Sequence, residues 1–124
     1  MSEQGTVART AAAATELLSA VRFQEELRRV ARSLARVPIG DPLAAAVRKI
    51  TQNPAFTQSR LLARILTALT YQMGEFRRAE ISAFDSDTLA MVITLMDAHA
   101  AGTSPREEWT SAVDAAKAAL LGVQ

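Results

Sequence analysis

The sequence predicts an all-α protein, a compact single-domain bundle or orthogonal array of about five helices. Residues that favour helices dominate the chain, and its five glycines and four prolines fall almost entirely where helices should begin or end. Apolar residues also recur at intervals of three and four, which is the period of one helix face. A chain of 124 residues fits one domain, so we expect a single domain over residues 1–124, with residues 1–6 as a flexible tail.

The first helix is expected from Thr6 to Arg36, because Pro38 disfavours helical geometry at the residue before it. Its apolar stripe consists of Phe23, Leu27, Val30, Leu34 and Val37. A second apolar group projects in another direction from this stripe and consists of Leu17, Leu18 and Val21. We interpret this second group as the centre of a contact with another copy of the chain, although other helices wrapped around the first one would also cover it.

The second and third helices are separated by the Asn-Pro pair at residues 53–54. Asp41 followed by Pro42 is typical of an N-cap with proline at the first helical position, so a short second helix should begin there. Its buried face is expected to contain Leu43, Ala46, Val47 and Ile50. The third helix should begin near Thr57, with an apolar face of Leu62, Ile65, Leu66, Leu69, Met73 and Phe76. Gly74 predicts a kink or a break near its end.

Capping signals also locate the last two helices. Asp85 or Ser86 should cap a fourth helix that ends near Gly102, with an inner face of Leu89, Val92, Ile93 and Met96. Residues 104–107, Ser-Pro-Arg-Glu, predict a capping box at the start of a fifth helix. The buried stripe of that helix should contain Trp109, Ala112, Val113, Ala116 and Leu120, with the tryptophan as a core anchor.

The charges are sorted by position along the chain. Residues 1–78 carry twelve Lys or Arg and six Asp or Glu, whereas residues 79–124 carry two and seven. The acidic half includes Asp97, Glu107, Glu108 and Asp114. These carboxylates could face the arginines within one chain or across the two-fold axis of a dimer, and the sequence leaves both arrangements open.

The arginines of the basic half follow the helical period. On the first helix, five of them fall within about a third of the circumference, away from the apolar stripe: Arg22, Arg28, Arg29, Arg32 and Arg36. On the third helix, Arg60, Arg64 and Tyr71 lie close together, and Arg78 joins them if the helix continues through Gly74. These two stripes are the expected partner-binding surface.

Two interpretations of the stripes are compatible with the sequence. Guanidinium groups bind phosphate and stack on bases, and an exposed tyrosine offers a further stacking platform, so nucleic acid is a coherent partner. Local pairs such as Glu25 with Arg29 would instead make the arginines a solvated face that keeps amphipathic helices soluble.

The chain offers few groups for catalysis: one histidine, one tyrosine and no cysteine. We therefore expect no enzyme, no cofactor and no bound metal. His99 lies near the end of the fourth helix, where the helix dipole favours an imidazolium, and we interpret it as structural. Residues 85–87, Asp-Ser-Asp, resemble the opening of a calcium loop but lack its glycine and closing glutamate, so capping explains them better.

The leading hypothesis is a non-enzymatic helical interaction module that binds another protein and forms a homodimer. The alternative is a small nucleic-acid-associated or regulatory protein that contacts phosphates through its arginine stripes. A third class, an enzyme or ligand carrier with an apolar pocket, leaves almost no mark on a sequence. The apolar stretches are shorter than the roughly 20 residues of a membrane helix, and the absence of cysteine fits a cytoplasmic location.

Overall fold

The computed structural model describes residues 16–33 and 40–122, which form five α-helices and one small sheet. The helices are α1 (Ala20–Val30), α2 (Pro42–Gln52), α3 (Thr57–Tyr71), α4 (Ser86–Ala101) and α5 (Arg106–Leu121), and the strands are β1 (Leu17–Ser19) and β2 (Glu75–Arg77). Short 3-10 helices span Ala31–Ser33 and Arg78–Ala83. The predicted all-α class with about five helices is confirmed. The predicted tail at residues 1–6 and the predicted start at Thr6 lie outside the described residues.

Helix α3 is the centre of the core. It is packed against α2, α4 and α5, and its residues Leu62, Ile65 and Leu66 are fully buried. Arg106 at the start of α5 donates a hydrogen bond to the carbonyl of Thr70 near the end of α3, and Leu120 near the end of α5 lines one groove with Ala63 of α3. These two helices therefore run antiparallel. None of the helices in the described part of the chain has the length and apolar character needed to cross a membrane.

The prediction of helix over Leu17–Ser19 is wrong, because this segment is strand β1. It pairs antiparallel with β2, and Leu18 lies opposite Phe76. The pairing satisfies backbone groups that a frayed helix end would leave free, and it buries Leu18 to 4% exposure. Helix α1 therefore begins after Ser19, whose side chain accepts a hydrogen bond from the backbone N–H of Arg22.

The buried side of α1 differs in part from the predicted stripe. Phe23 and Leu27 are fully buried as expected, but Val30 is 51% exposed because it lies at the edge of the buried face, where the helix ends. Ala20 and Ala31 complete the buried face instead. Three further predicted positions, Leu34, Arg36 and Val37, lie outside the described residues.

An aromatic cluster attaches α1 to the rest of the fold. The rings of Phe23 and Phe76 stack with centroids 4.2 Å apart, and Phe84 packs on Phe23 at 6.2 Å. Phe76 belongs to β2, and Phe84 directly follows the second 3-10 helix. A single cluster of three rings thus joins α1, β2 and the segment that leads into α4.

Helix α3 ends at Tyr71, so the predicted break near Gly74 is confirmed. Gln72 adopts a left-handed conformation with φ of 55°, and Gly74 has a positive φ of 125°, which a side chain rarely permits. The chain then turns back along α3 as β2. As a result Met73, predicted on the apolar face, is 62% exposed, whereas Phe76 reaches the core from a strand.

Caps define α2 and α4 as predicted. The carboxylate of Asp41 accepts hydrogen bonds from the N–H groups of Leu43 and Ala44. Asp85 accepts one from the N–H of Thr88 at 2.7 Å. Burial alone would raise the pKa of Asp85, but hydrogen bonding from Thr88 and the nearby charge of Lys49 lower that pKa below its usual value. Gly102 ends α4 in the left-handed conformation.

The predicted capping box of α5 is not formed. Pro105 occupies the N-cap position, one residue later than the box requires, so Ser104 lies outside the helix and no side-chain hydrogen bond caps its start. The predicted buried stripe is otherwise present, since Trp109, Ala112, Val113 and Ala116 are buried and Leu120 is half-buried.

Candidate functional site

The arginines of α1 do not form an uninterrupted free stripe. Arg28 Nη1 donates a hydrogen bond to Asp97 Oδ1 at 2.9 Å, and this ion pair joins α1 to α4. The basic and acidic halves of the sequence therefore meet within one chain at this point. Both side chains are 42% exposed, so the pair contributes at most about 1 kcal/mol to stability.

Three other arginines of the predicted stripe are described: Arg22 and Arg29 on α1, and Arg32 on the 3-10 helix that follows it. Arg22 lies 3.9 Å from Glu25, and Arg29 lies 3.5 Å from Glu26, each three residues away on the same helix. Arg32 is exposed and forms no ion pair within the described part of the chain. Of the predicted stripe, Arg32 thus has the freest cation, and Arg36 lies outside the described residues.

Arg78 does not join an α3 stripe but lies in the second 3-10 helix. Its Nη2 donates to Glu16 Oε2 at 2.8 Å, and its Nη1 lies 3.5 Å from Glu26 Oε2. The hydrogen bond that Arg78 donates to Glu16 is the largest cause that raises the pKa of Arg78 above its usual value. Glu26 is only 8% exposed and lies between Arg29 and Arg78, so this group fastens α1 to the segment after β2.

The two arginines of α3 have different surroundings. Arg64 Nη1 donates to Glu80 Oε2 and its Nη2 to the backbone carbonyl of Glu75, both at 2.9 Å. The same guanidinium lies 4.6 Å from the ring centroid of Phe76. Arg60, in contrast, is exposed and has no ion pair among residues 16–33 and 40–122. Arg64 is therefore held in place, whereas Arg60 is available to a partner.

Tyr71 is 37% exposed, but its ring is covered by a cation from another helix. Arg106 of α5 lies 5.7 Å from the ring centroid, and Arg106 Nη1 also donates to the backbone carbonyl of Thr70 at 3.1 Å. Arg106 therefore forms a contact between helices α3 and α5. It leaves only part of the ring for the base stacking that the sequence suggests.

The predicted dimer contact is divided by the fold. Leu18 belongs to the core of its own chain, opposite Phe76. Leu17 and Val21 are 62% and 57% exposed, so they are on the surface as the prediction requires. Only these two of the three residues remain available for a contact between copies.

His99 packs against an aromatic ring. Its imidazole meets Trp109 edge to face, with centroids 5.1 Å apart, beside a cavity of about 150 Å³ that Ser104 and Arg106 also line. Trp109 is 4% exposed, which confirms its predicted core position. No cluster of three or more potential metal-binding side chains is found in the described residues.

A groove of about 590 Å³, which we call the α3–α5 groove, is a concave surface of the described structure. It runs between α3, the Met73–Phe76 segment and the end of α5. Its apolar side chains are Ala63, Met73, Phe76 and Leu120, and its cations are Arg60, Arg64 and Lys117. This groove was not predicted from the sequence, because it depends on the chain turning back along α3 after Gln72.

A second groove, of about 440 Å³, lies on the other flank of α5, against α2. Its charged residues are all acidic: Asp41, Glu107 and Glu108. Its apolar lining includes Leu43, Val47 and Ala112. Helix α5 therefore separates a groove with a cationic rim from one with an anionic rim.

This chain was compared with models of known protein families, with curated proteins and with solved structures. No match was found in any of the three comparisons.

Proposed function

We propose that this protein acts by binding another protein, without catalysing a reaction. The observation that carries the proposal is the α3–α5 groove, an open surface of about 590 Å³ with apolar side chains at its floor and cations at its rim. Apolar clefts between helices, with a few fixed polar groups, are typical binding surfaces.

The surroundings of the groove also favour binding over catalysis. Arg64 is fixed by Glu80, Glu75 and Phe76, so one wall is rigid. Met73 on the same rim is 62% exposed, and methionine adapts readily to the shape of a partner. A rigid wall together with an adaptable side chain suits the recognition of a protein surface.

The nucleic-acid alternative has less support from the geometry. Phosphate binding by a stripe requires several free cations in a row, but Arg28 and Arg64 are paired inside the chain, and Arg22 and Arg29 lie beside carboxylates. Arg32 and Arg60, which have no such pairs in the described residues, lie on different helices. Two separated cations give weak phosphate binding at physiological salt.

Self-association through Leu17 and Val21 belongs to the same proposal. Both side chains are more than half exposed, and burying them between copies would remove apolar surface from water. In sedimentation equilibrium we expect a dimer that becomes a monomer when Val21 is changed to lysine. If the unsubstituted protein is a monomer at high concentration, the proposed dimer is contradicted. The proposal that the groove binds another protein is not affected by that result.

Site-specific photo-crosslinking in the native cells tests the groove itself. A benzophenone amino acid placed at Met73 should form an adduct with a protein that mass spectrometry identifies, and the purified pair should then bind in solution. The matched control is the same amino acid at Arg48, an exposed position on α2 outside the groove. Equal labelling at both positions, or none at Met73, would contradict the proposed function.

A further inference from the structure

The rim of the α3–α5 groove carries two cations that the rest of the described chain leaves unpaired. Arg60 projects from α3 and Lys117 from α5, and both line the groove and are exposed. Neither forms an ion pair within residues 16–33 and 40–122. An occupant therefore meets a positive charge on each of the two helices that form the walls.

The rest of the lining strengthens this polarity. Arg64 is a third cation, and Glu75 is the single carboxylate among the residues that line the groove in the described structure. Arg64 already contacts Glu80, so its charge is partly balanced, whereas those of Arg60 and Lys117 are not. The groove consequently attracts carboxylates and repels ammonium and guanidinium groups.

The floor of the groove sets a second requirement. Ala63 is a small side chain at 7% exposure, with the half-buried Thr67 one turn later on α3 and Leu120 on the facing helix. Small residues on one wall leave room for large side chains from an occupant. Apolar groups at helical spacing fill such a groove, as amphipathic helices do in other helical grooves.

From these observations we infer that the α3–α5 groove binds an acidic amphipathic helix of a partner protein. This inference rests on the proposed function and specifies its partner. Apolar side chains on one face of the partner helix enter between α3 and α5, and carboxylates at the edges of that face pair with Arg60 and Lys117. The anionic groove between α2 and α5 does not accept the same helix, because Asp41, Glu107 and Glu108 repel its carboxylates.

Two synthetic peptides test the inference with the whole chain. Each is a fluorescently labelled amphipathic helix of about 15 residues, with leucine at helical spacing on one face and either glutamate or lysine on the other. The glutamate peptide should bind by fluorescence anisotropy, and its affinity should fall as salt is raised from about 50 to about 200 mM. The double change Arg60→Glu with Lys117→Glu should weaken that binding by about tenfold.

The matched control is the single change Arg48→Glu, which alters the net charge by as much as Arg60→Glu or Lys117→Glu alone, at an exposed position outside the groove. This control should change the affinity for the glutamate peptide by less than about twofold. Met73→Glu, at an exposed position on the rim, should weaken binding without affecting the fold. Circular dichroism verifies that each variant remains helical.

Several results would overturn the inference while the cross-link at Met73 still upheld the proposed function. The first is no binding of the glutamate peptide. The second is an equal loss of affinity in Arg48→Glu and in Arg60→Glu or Lys117→Glu alone. The third is equally tight binding of the lysine peptide, if Arg60→Glu or Lys117→Glu changes that binding more than Arg48→Glu does. A dimer of the protein alone that Met73→Glu dissociates would also overturn it, because a second copy would then be the occupant. Binding of the glutamate peptide without any adduct at Met73 in cells would contradict the proposed function instead.

Discussion

Helices α2 to α5 and helix α1 are held in the fold by different interactions. The four later helices pack through aliphatic residues centred on α3, such as Leu62, Ile65 and Leu66. Helix α1 has only Phe23 and Leu27 as fully buried large side chains, and it is tied to its neighbours by aromatic stacking, strand β1 and ion pairs. Arginines of the basic half, Arg28 and Arg78, therefore help to attach α1 to the rest of the fold, in addition to presenting charge to solvent.

The largest effect is expected in the aliphatic region. Leu66→Ala should lower the free energy of unfolding by about 2–5 kcal/mol, because Leu66 is fully buried and its loss leaves a cavity. Urea denaturation followed by circular dichroism measures the change. Leu121→Ala is the control, since the same atoms are removed from a side chain that is 65% exposed, and the loss should stay below about 0.5 kcal/mol. If both variants lost the same free energy of unfolding, α3 would not be the centre of the core.

A smaller effect is expected where α1 is attached. Glu26→Gln keeps the shape of a side chain that is 11% exposed but removes its charge from Arg29 and Arg78, each 3.5 Å away. The free energy of unfolding should fall by about 1–2 kcal/mol in dilute buffer. The fall should be smaller in about 1 M salt, which screens ion pairs.

Glu25→Gln is the matched control for this attachment. Its side chain is 62% exposed and lies 3.9 Å from Arg22, so its replacement should change stability by less than about 0.5 kcal/mol. If Glu25 and Glu26 gave the same result, α1 would not be fastened by the buried carboxylate, and the contrast with α2 to α5 would be lost.

The smallest of the three effects lies at the start of α4. Asp85→Ala should cost about 1 kcal/mol, because the N–H of Thr88 loses its acceptor. Asp85→Asn retains the acceptor but not the charge. Since the pKa of Asp85 is lowered in the folded chain, its charge stabilises the fold above the unfolded pKa of about 4, and this contribution is lost as the pH falls through the folded value.

Denaturation of the chain and of Asp85→Asn at about pH 7 and at about pH 2 tests this linkage. The difference in the free energy of unfolding between the unsubstituted chain and Asp85→Asn should be present at about pH 7 and vanish at about pH 2. Asp87→Asn, at an exposed position in the first turn of α4, provides the comparison. A difference for Asp85→Asn that persists at low pH would show that the charge is not its source.

Local signals in the sequence were sufficient for most of the helical framework. Asp41 with Pro42 and Asp85 with Gly102 mark ends of α2 and α4 because caps depend on neighbouring backbone groups. Strand β1 was not predictable, since Leu17–Ser19 has no strand pattern of its own and pairs with residues far along the chain. The missing capping box of α5 results from a shift of one residue, within the usual uncertainty of helix ends.

The candidate site was less predictable than the fold. Helical spacing correctly placed Arg60 and Arg32 on exposed faces, but it could not show that Arg28 and Arg64 are paired with residues of other elements. The α3–α5 groove depends on the reversal at Gln72 and on the antiparallel contact of two helices. Such tertiary arrangements cannot be predicted from the periodic spacing of apolar and charged residues along the sequence.

Strand β1 is synthesised long before strand β2, with which it pairs. Arg78, which is bound to Glu16, follows it by 62 residues. Translation proceeds from the amino terminus, so Leu18, Phe23 and Leu27 leave the ribosome long before Phe76 and Phe84, which cover this side of the fold. During that interval the apolar face of α1 has no native partner, and the nascent chain must keep it from other exposed apolar surfaces until β2 has been made.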